Sequence, residues 1–258
     1  MTARQVTLPS GRVVGMTGLG DPLARRLVLF SHPMPGASGF DPAPPVTRHW
    51  GVHLLGIDRP GYAGSPPWRE GEAPDARLWA LDVASWVRHA MRVGDDASGQ
   101  EYDRRVGVLG WGAGAVFAAE LAAALGRGVD RLALIVPSDR PEPDELRVGG
   151  AVGARLDLMR TEALRQGDSG VRGDAAALRG ARWPAVLAEV AVPTLVLARA
   201  DAGRGRPRST TATELRRVRR GHPTRVALTR AELPIAAHWR RILEHVAPEH
   251  GALPASAR

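Results

Sequence analysis

VLGWGAGAVFAA, residues 108–119, carries an apolar strand through a glycine turn into an alanine-rich helix. Two readings compete for it. Gly110, Gly112 and Ala115 satisfy the dinucleotide fingerprint G-x-G-x-x-[GA], in which glycines let a pyrophosphate approach a helix N-terminus. The same letters fit G-x-S-x-G, the sharp strand-to-helix turn that presents a reactive serine, with Gly110 and Gly114 framing Gly112 at the serine's place. Position in the chain separates the two. A dinucleotide fingerprint opens the first βαβ unit of its domain and is followed, about twenty residues on, by an acidic residue at the end of the next strand. Here the match comes after earlier strand-like segments, and Asp130 stands before the next strand. The stretch therefore reads as a nucleophile turn that lacks its nucleophile.

Outward from this turn, short apolar runs alternate with longer helical patterns, which predicts an α/β architecture with a mostly parallel sheet. RQVTL and RVVGMT predict an opening hairpin around Pro9–Gly11. RLVLF (26–30), VHLLGI (52–57), VGVLG (106–110), LALIV (132–136), PTLVLA (193–198) and RVALT (225–229) read as buried strands, because they are continuous apolar runs. Helices are expected over Asp75–Val93, with Leu78, Leu81, Val83, Trp86, Val87 and Met91 as the apolar stripe, over Ala113–Leu125, and over Ile235–Val246. From Ser138 to Val190 the strand pattern stops for longer than an ordinary connection allows, which predicts a small helical insertion or lid at about 139–190. The 258 residues are expected to form one domain around it.

Apolar residues make up 44% and charged residues 24%, as in an ordinary globular protein. There is no cysteine, which excludes a disulfide framework, a thiolate metal site and a cysteine nucleophile. No stretch reaches the roughly twenty apolar residues of a membrane span, and the N-terminus has no apolar signal core, so a cytoplasmic location is expected. The net charge of +8 rests on arginine alone, with Lys and Asn both absent, which is the mark of G+C-rich coding. The densest basic stretch, 203–225, has no interleaved aromatics to stack bases, so neither a specific nucleic acid nor a membrane is the expected partner. No cofactor and no metal site are expected, because His, Asp and Glu do not cluster.

FSHPMPG (30–36) follows one predicted strand and GIDRPGYAGS (56–65) follows the next. Together with the turn at Gly112 they resemble the α/β-hydrolase superfamily, its small esterase-like and epoxide-hydrolase-like members in particular, from about Arg26 to about Pro248. His32, Pro35 and Gly36 match the family's H-G-x-P-G loop, with Pro33 for its first glycine; the resemblance implies an oxyanion-binding N–H from Met34. Asp58, Arg59, Pro60, Gly61 and Ser65 match its D-R-P-G-x-G-x-S segment, with Ala63 and Gly64 displaced by one. VPTLVLARAD (192–201) resembles the strand and turn that present the triad acid, which places Asp201 in that role. ALTRAELPIAAHW (227–239) resembles the segment of the catalytic histidine, where Glu232 now stands.

The resemblance thus implies a triad changed at two positions, serine to Gly112 and histidine to Glu232. Its oxyanion donors, the N–H groups of Ala113 and Met34, are backbone and survive such changes. The leading expectation is a non-hydrolytic binder of a small apolar carbonyl or carboxylate ligand, with His32 in the loop beside the site and Trp111 next to the turn. Two alternatives stay open: an enzyme using Glu232, Asp201 or a histidine such as His222 or His238 for acid/base chemistry without a covalent intermediate, and a hydrolase with a relocated nucleophile.

Overall fold

The computed structural model describes residues 3–93, 105–138, 148–181, 183–199, 223–228 and 233–248. Eight strands form one sheet: β1 (Arg4–Thr7), β2 (Val13–Gly20), β3 (Arg26–Ser31), β4 (Val52–Ile57), β5 (Val106–Trp111), β6 (Val129–Ile135), β7 (Thr194–Arg199) and β8 (Thr224–Leu228). Their order is β1-β2-β4-β3-β5-β6-β7-β8. β2 runs antiparallel to β1 and β4, and the pairs from β4 through β8 are parallel.

Alternation along the central strands divides the core in two, since successive side chains point to opposite faces of a sheet. Leu27, Leu29, Val106, Val108, Leu132 and Leu134 face one side. There they meet α2 (Ala76–Val93), α3 (Gly114–Leu125) and the buried Leu187 of α6 (Trp183–Glu189). Val28, Phe30, Leu109, Trp111, Ala133 and Ile135 face the other, against α1 (Pro44–Trp50) and α8 (Trp239–Val246). β3 and β5 are buried along their whole length, as strands covered on both faces must be. α3 is buried on nearly every side, which its run of small apolar residues allows.

The predicted strands all form, with ends moved by a few residues. Val136 lies beyond β6, with φ +42, a conformation rare for a β-branched residue. The stripe expected on α2 is corrected: Leu78 and Leu81 are exposed, while Trp79, Ala80, Val83, Ala84 and Val87 are buried. The predicted 235–246 helix is two pieces, α7 (Pro234–Ala237) and α8, broken at His238. Between β6 and β7 lie α4 (Gly150–Ala163), α5 (Ser169–Gly180) and α6. α4 and α5 rest on loops that leave the carboxyl ends of β3 and β4: Arg155 donates to the carbonyl of Pro42 (2.7 Å), Gln166 to those of Ala63 (2.9 Å) and Ser65 (2.8 Å), and Ser169 to that of Gly61 (3.1 Å). Among the described residues no helix is long and apolar enough to cross a membrane.

Candidate active site

The chain leaves β5 through Gly112 at φ +58 and enters α3 two residues later. That left-handed conformation costs an L-residue about 1–2 kcal/mol and costs glycine nothing comparable. Backbone bonds fix the turn. The N–H of Gly112 donates to the carbonyl of Ile135 (2.9 Å), and its own carbonyl accepts from Ala115 (3.1 Å) and Ser138 (3.2 Å). Gly114 lies so close to β3 that a Cβ there would overlap the carbonyl oxygens of Ser31 and His32. The start of α3 and the loop after β3 are thereby held against each other.

The two residues expected from sequence to supply oxyanion donors lie on these two segments, Ala113 at the start of α3 and Met34 in the loop after β3. Ala113 and Met34 are both buried and share one core cluster. Among the described residues no backbone carbonyl accepts from either N–H. Trp111 is buried on the opposite face of β5, its ring 5.6 Å from that of Phe40, and among the described residues its indole N–H has no hydrogen-bond partner.

Beside the turn, the 58–65 loop is built from charge. Arg59 is wholly buried and donates from Nε to Asp174 Oδ1 (2.9 Å) and from Nη2 to Asp174 Oδ2 (2.5 Å) on α5. Its remaining donors reach Ser31 Oγ (3.2 Å) and the carbonyls of His32 (2.5 Å) and Pro33 (3.0 Å), and its guanidinium lies 4.7 Å from the centre of the Phe117 ring on α3. Tyr62 adds a third donor to Asp174 (3.0 Å). Asp58 accepts the N–H of Ser38 (2.6 Å) and of Gly64 (3.1 Å), and burial pushes its carboxyl up to about 6.

His32 is engaged on both nitrogens. Nε2 accepts the N–H of Arg59 (3.2 Å), so Nδ1 carries the proton and donates to the carbonyl of Pro33 (2.8 Å). Burial first, and the Arg59 charge second, hold it well below the usual histidine value. It braces its loop as a neutral ring, and Ser31 next to it is occupied as an acceptor for Arg59. Asp201, His222 and Glu232 lie outside the described residues, as does most of the 203–225 basic stretch. His238 occupies the turn between α7 and α8, with its N–H on the carbonyl of Pro234 (3.2 Å).

The Arg59–Asp174 pair was not foreseen from sequence. Its partners lie 115 residues apart, so no local spacing announces them. The strained Val136, one residue from the carbonyl that receives Gly112, also left no signal in the sequence.

No protein-family model matches the chain, and no curated protein sequence matches it significantly. Solved structures do. A hydrolase from Pseudomonas aeruginosa superposes with a TM-score of 0.64 at 20% identity, covering 95% of this chain and 98% of that one. The enol-lactonase from Burkholderia xenovorans gives 0.64 at 15% identity, covering 92% and 95%. Epoxide hydrolase A from Mycobacterium thermoresistibile gives 0.63 at 18% identity, covering 94% and 98%. The chain has the α/β-hydrolase fold.

Proposed function

We propose that this α/β-hydrolase-fold chain has no serine-hydrolase activity and instead binds a small apolar molecule through a carbonyl or carboxylate oxygen, at the turn of Gly112 and beneath the 139–190 segment acting as a cap. One observation carries the reading: the turn keeps its left-handed φ of +58 and its backbone bonds while the residue at its apex has no side chain. Covalent acyl transfer needs a nucleophile at that apex and a base to activate it. Gly112 supplies no nucleophile, and Glu232 stands where the resemblance places the base. What remains is an electrostatic site for oxygen. The N–H groups of Ala113 and Met34 are donors, and the N-terminus of α3 favours negative charge.

The test is calorimetric titration of the whole chain with hexanoate, and with 1-hexanol as the matched molecule lacking the carboxylate. Hexanoate is expected to bind and hexanol not. Ala113→Pro removes one donor at a residue whose φ of −57 suits proline, with an unchanged far-ultraviolet spectrum required because the ring adds bulk at a buried site next to the Gly112 N–H. It is expected to weaken hexanoate at least about tenfold, the loss of one charge-assisted hydrogen bond. Equal binding of acid and alcohol, or an Ala113→Pro protein that binds hexanoate unchanged, would refute the reading.

A further inference from the structure

The α2–α3 side of the sheet carries a pocket formed by residues other than those of the turn. The N-terminal part of α2, the middle of α3 and the α5–α6 junction enclose about 460 Å³. Asp75, Arg77, Glu120 and Glu189 supply its charged lining, and Leu81, Val186 and four alanines its apolar wall. Glu120 is the unusual member. It is only 5% exposed, in the middle of a helix otherwise buried through apolar residues. Among the described residues it makes no hydrogen bond and no ion pair.

Glutamate is almost never fully buried unless paired, because an uncompensated carboxylate in an apolar setting is costly. Here the stem is buried in the core while the carboxylate oxygens still reach the solvent of the pocket, unpaired among the described residues. The neighbouring charges aggravate that cost: burial raises the Glu120 carboxyl to about 6, Asp75 and Glu189 push the same way, and Arg77 opposes them. Among the described residues these charges come from Asp75 just before α2, Arg77 on α2 and Glu189 on α6; Gly180 and Ala181 bring none. Among the described residues three carboxyls stand against one guanidinium, an acidic concavity on a chain of net charge +8.

The carboxyls are too dispersed for one metal ion, since among the described residues no group of three or more His, Cys, Asp or Glu is so placed. A cation that satisfies them must have length. An ammonium has three donors and no acceptor, which suits an unpaired carboxylate, and methylenes lie well along a wall of alanine and leucine. We infer that this groove binds an aliphatic diamine, one ammonium on Glu120, the other on Asp75 or Glu189, and the chain between them along the apolar wall. Among the described residues Asp75 keeps an oxygen for the purpose, because Oδ1 is the one that accepts the N–H groups of Arg77 (2.7 Å) and Leu78 (3.2 Å) that it caps.

The experiment is calorimetric titration of the whole chain with 1,4-diaminobutane at about pH 7.5, with 1,4-butanediol as the uncharged control. The diamine binds and the diol does not; Glu120→Gln weakens the diamine at least about tenfold, the effect expected for a charge-assisted bond. Ala185 is exposed and lines the groove, so Ala185→Phe blocks it without touching a carboxyl and gives the same loss in a variant with no buried change. A diamine that binds no better than the diol, or one held equally by wild type and by both variants, overturns the inference and leaves Glu120 a buried carboxyl only.

Discussion

The turn at 110–114 and the loop at 58–65 stand near each other above the sheet and hold their shapes by opposite means. The turn is nearly all backbone. Its geometry rests on Gly112 in the left-handed region, on Gly114 against β3, and on peptide hydrogen bonds to the end of β6. The loop has backbone turn bonds of its own, but side chains lock it to its surroundings: Asp58, Arg59, Tyr62 and Ser65 are buried and each bonded to a partner. The difference teaches which of the two could lose a reactive group. A side chain at the apex of the turn holds nothing else in place, so its removal relieves strain and spares the shape. Removing Arg59, or its partner Asp174 on α5, leaves a buried charge without its counter-charge, which is among the costliest single changes a fold can suffer.

Three substitutions test that contrast, beginning with the most severe. Asp174→Ala strands the Arg59 guanidinium, and the loss should be about 3–5 kcal/mol by denaturant unfolding. A loss under about 1 kcal/mol, the range of an exposed pair, would mean the loop is not held as described. Gly112→Ser adds a side chain in the left-handed region and should cost only about 1–2 kcal/mol, with the far-ultraviolet spectrum unchanged. Unfolding of this variant would show that the turn cannot carry a serine at all.

The smallest effect concerns pH. The folded chain keeps His32 neutral, so as pH falls below about 6.5 only the unfolded chain takes up that proton, and stability drops by up to about 1.4 kcal/mol per pH unit. His32→Asn lacks this term. Its deficit against wild type should therefore narrow between about pH 6.5 and 5.5, whatever its size at pH 7.5. A constant deficit would show that His32 protonates in the fold. Asp58 acts in the other sense: its carboxyl, raised to about 6, binds a proton in the fold before it does so in the unfolded chain, and it contributes equally to both proteins, so it drops out of the difference.

The sheet was legible in the sequence because a strand buried on both faces is a continuous apolar run, and VHLLGI forms β4 residue for residue. The turn at Gly112 was legible for a related reason: its glycines are demanded locally by a positive φ and by close packing. Helical faces were less so. On α2 the leucines drew the eye, yet alanines, Trp79 and two valines face the core, because a helix packed closely on α3 favours small residues over large ones. α1 was missed, since PPVTRHW is too short for a 3.6-residue period to show and is fixed by Thr47 and Trp50 only after the chain has folded. The brace across Arg59 and Asp174 had no local signature, and neither did the burial of Glu120, which depends on how α2, α5 and α6 pack around α3.

The central claim is that the Gly112 turn and its oxyanion donors are intact and lack only a nucleophile and a base. Hydrolysis of p-nitrophenyl butyrate by wild type, Gly112→Ser and the double variant Gly112→Ser with Glu232→His tests it most directly. The expected result is no serine-dependent hydrolysis by wild type, at most a residual rate for the single variant, and a rate for the double variant at least about tenfold above that, since the added histidine supplies the base that activates the serine. A folded double variant as inert as the single, or a wild type already active, would contradict it.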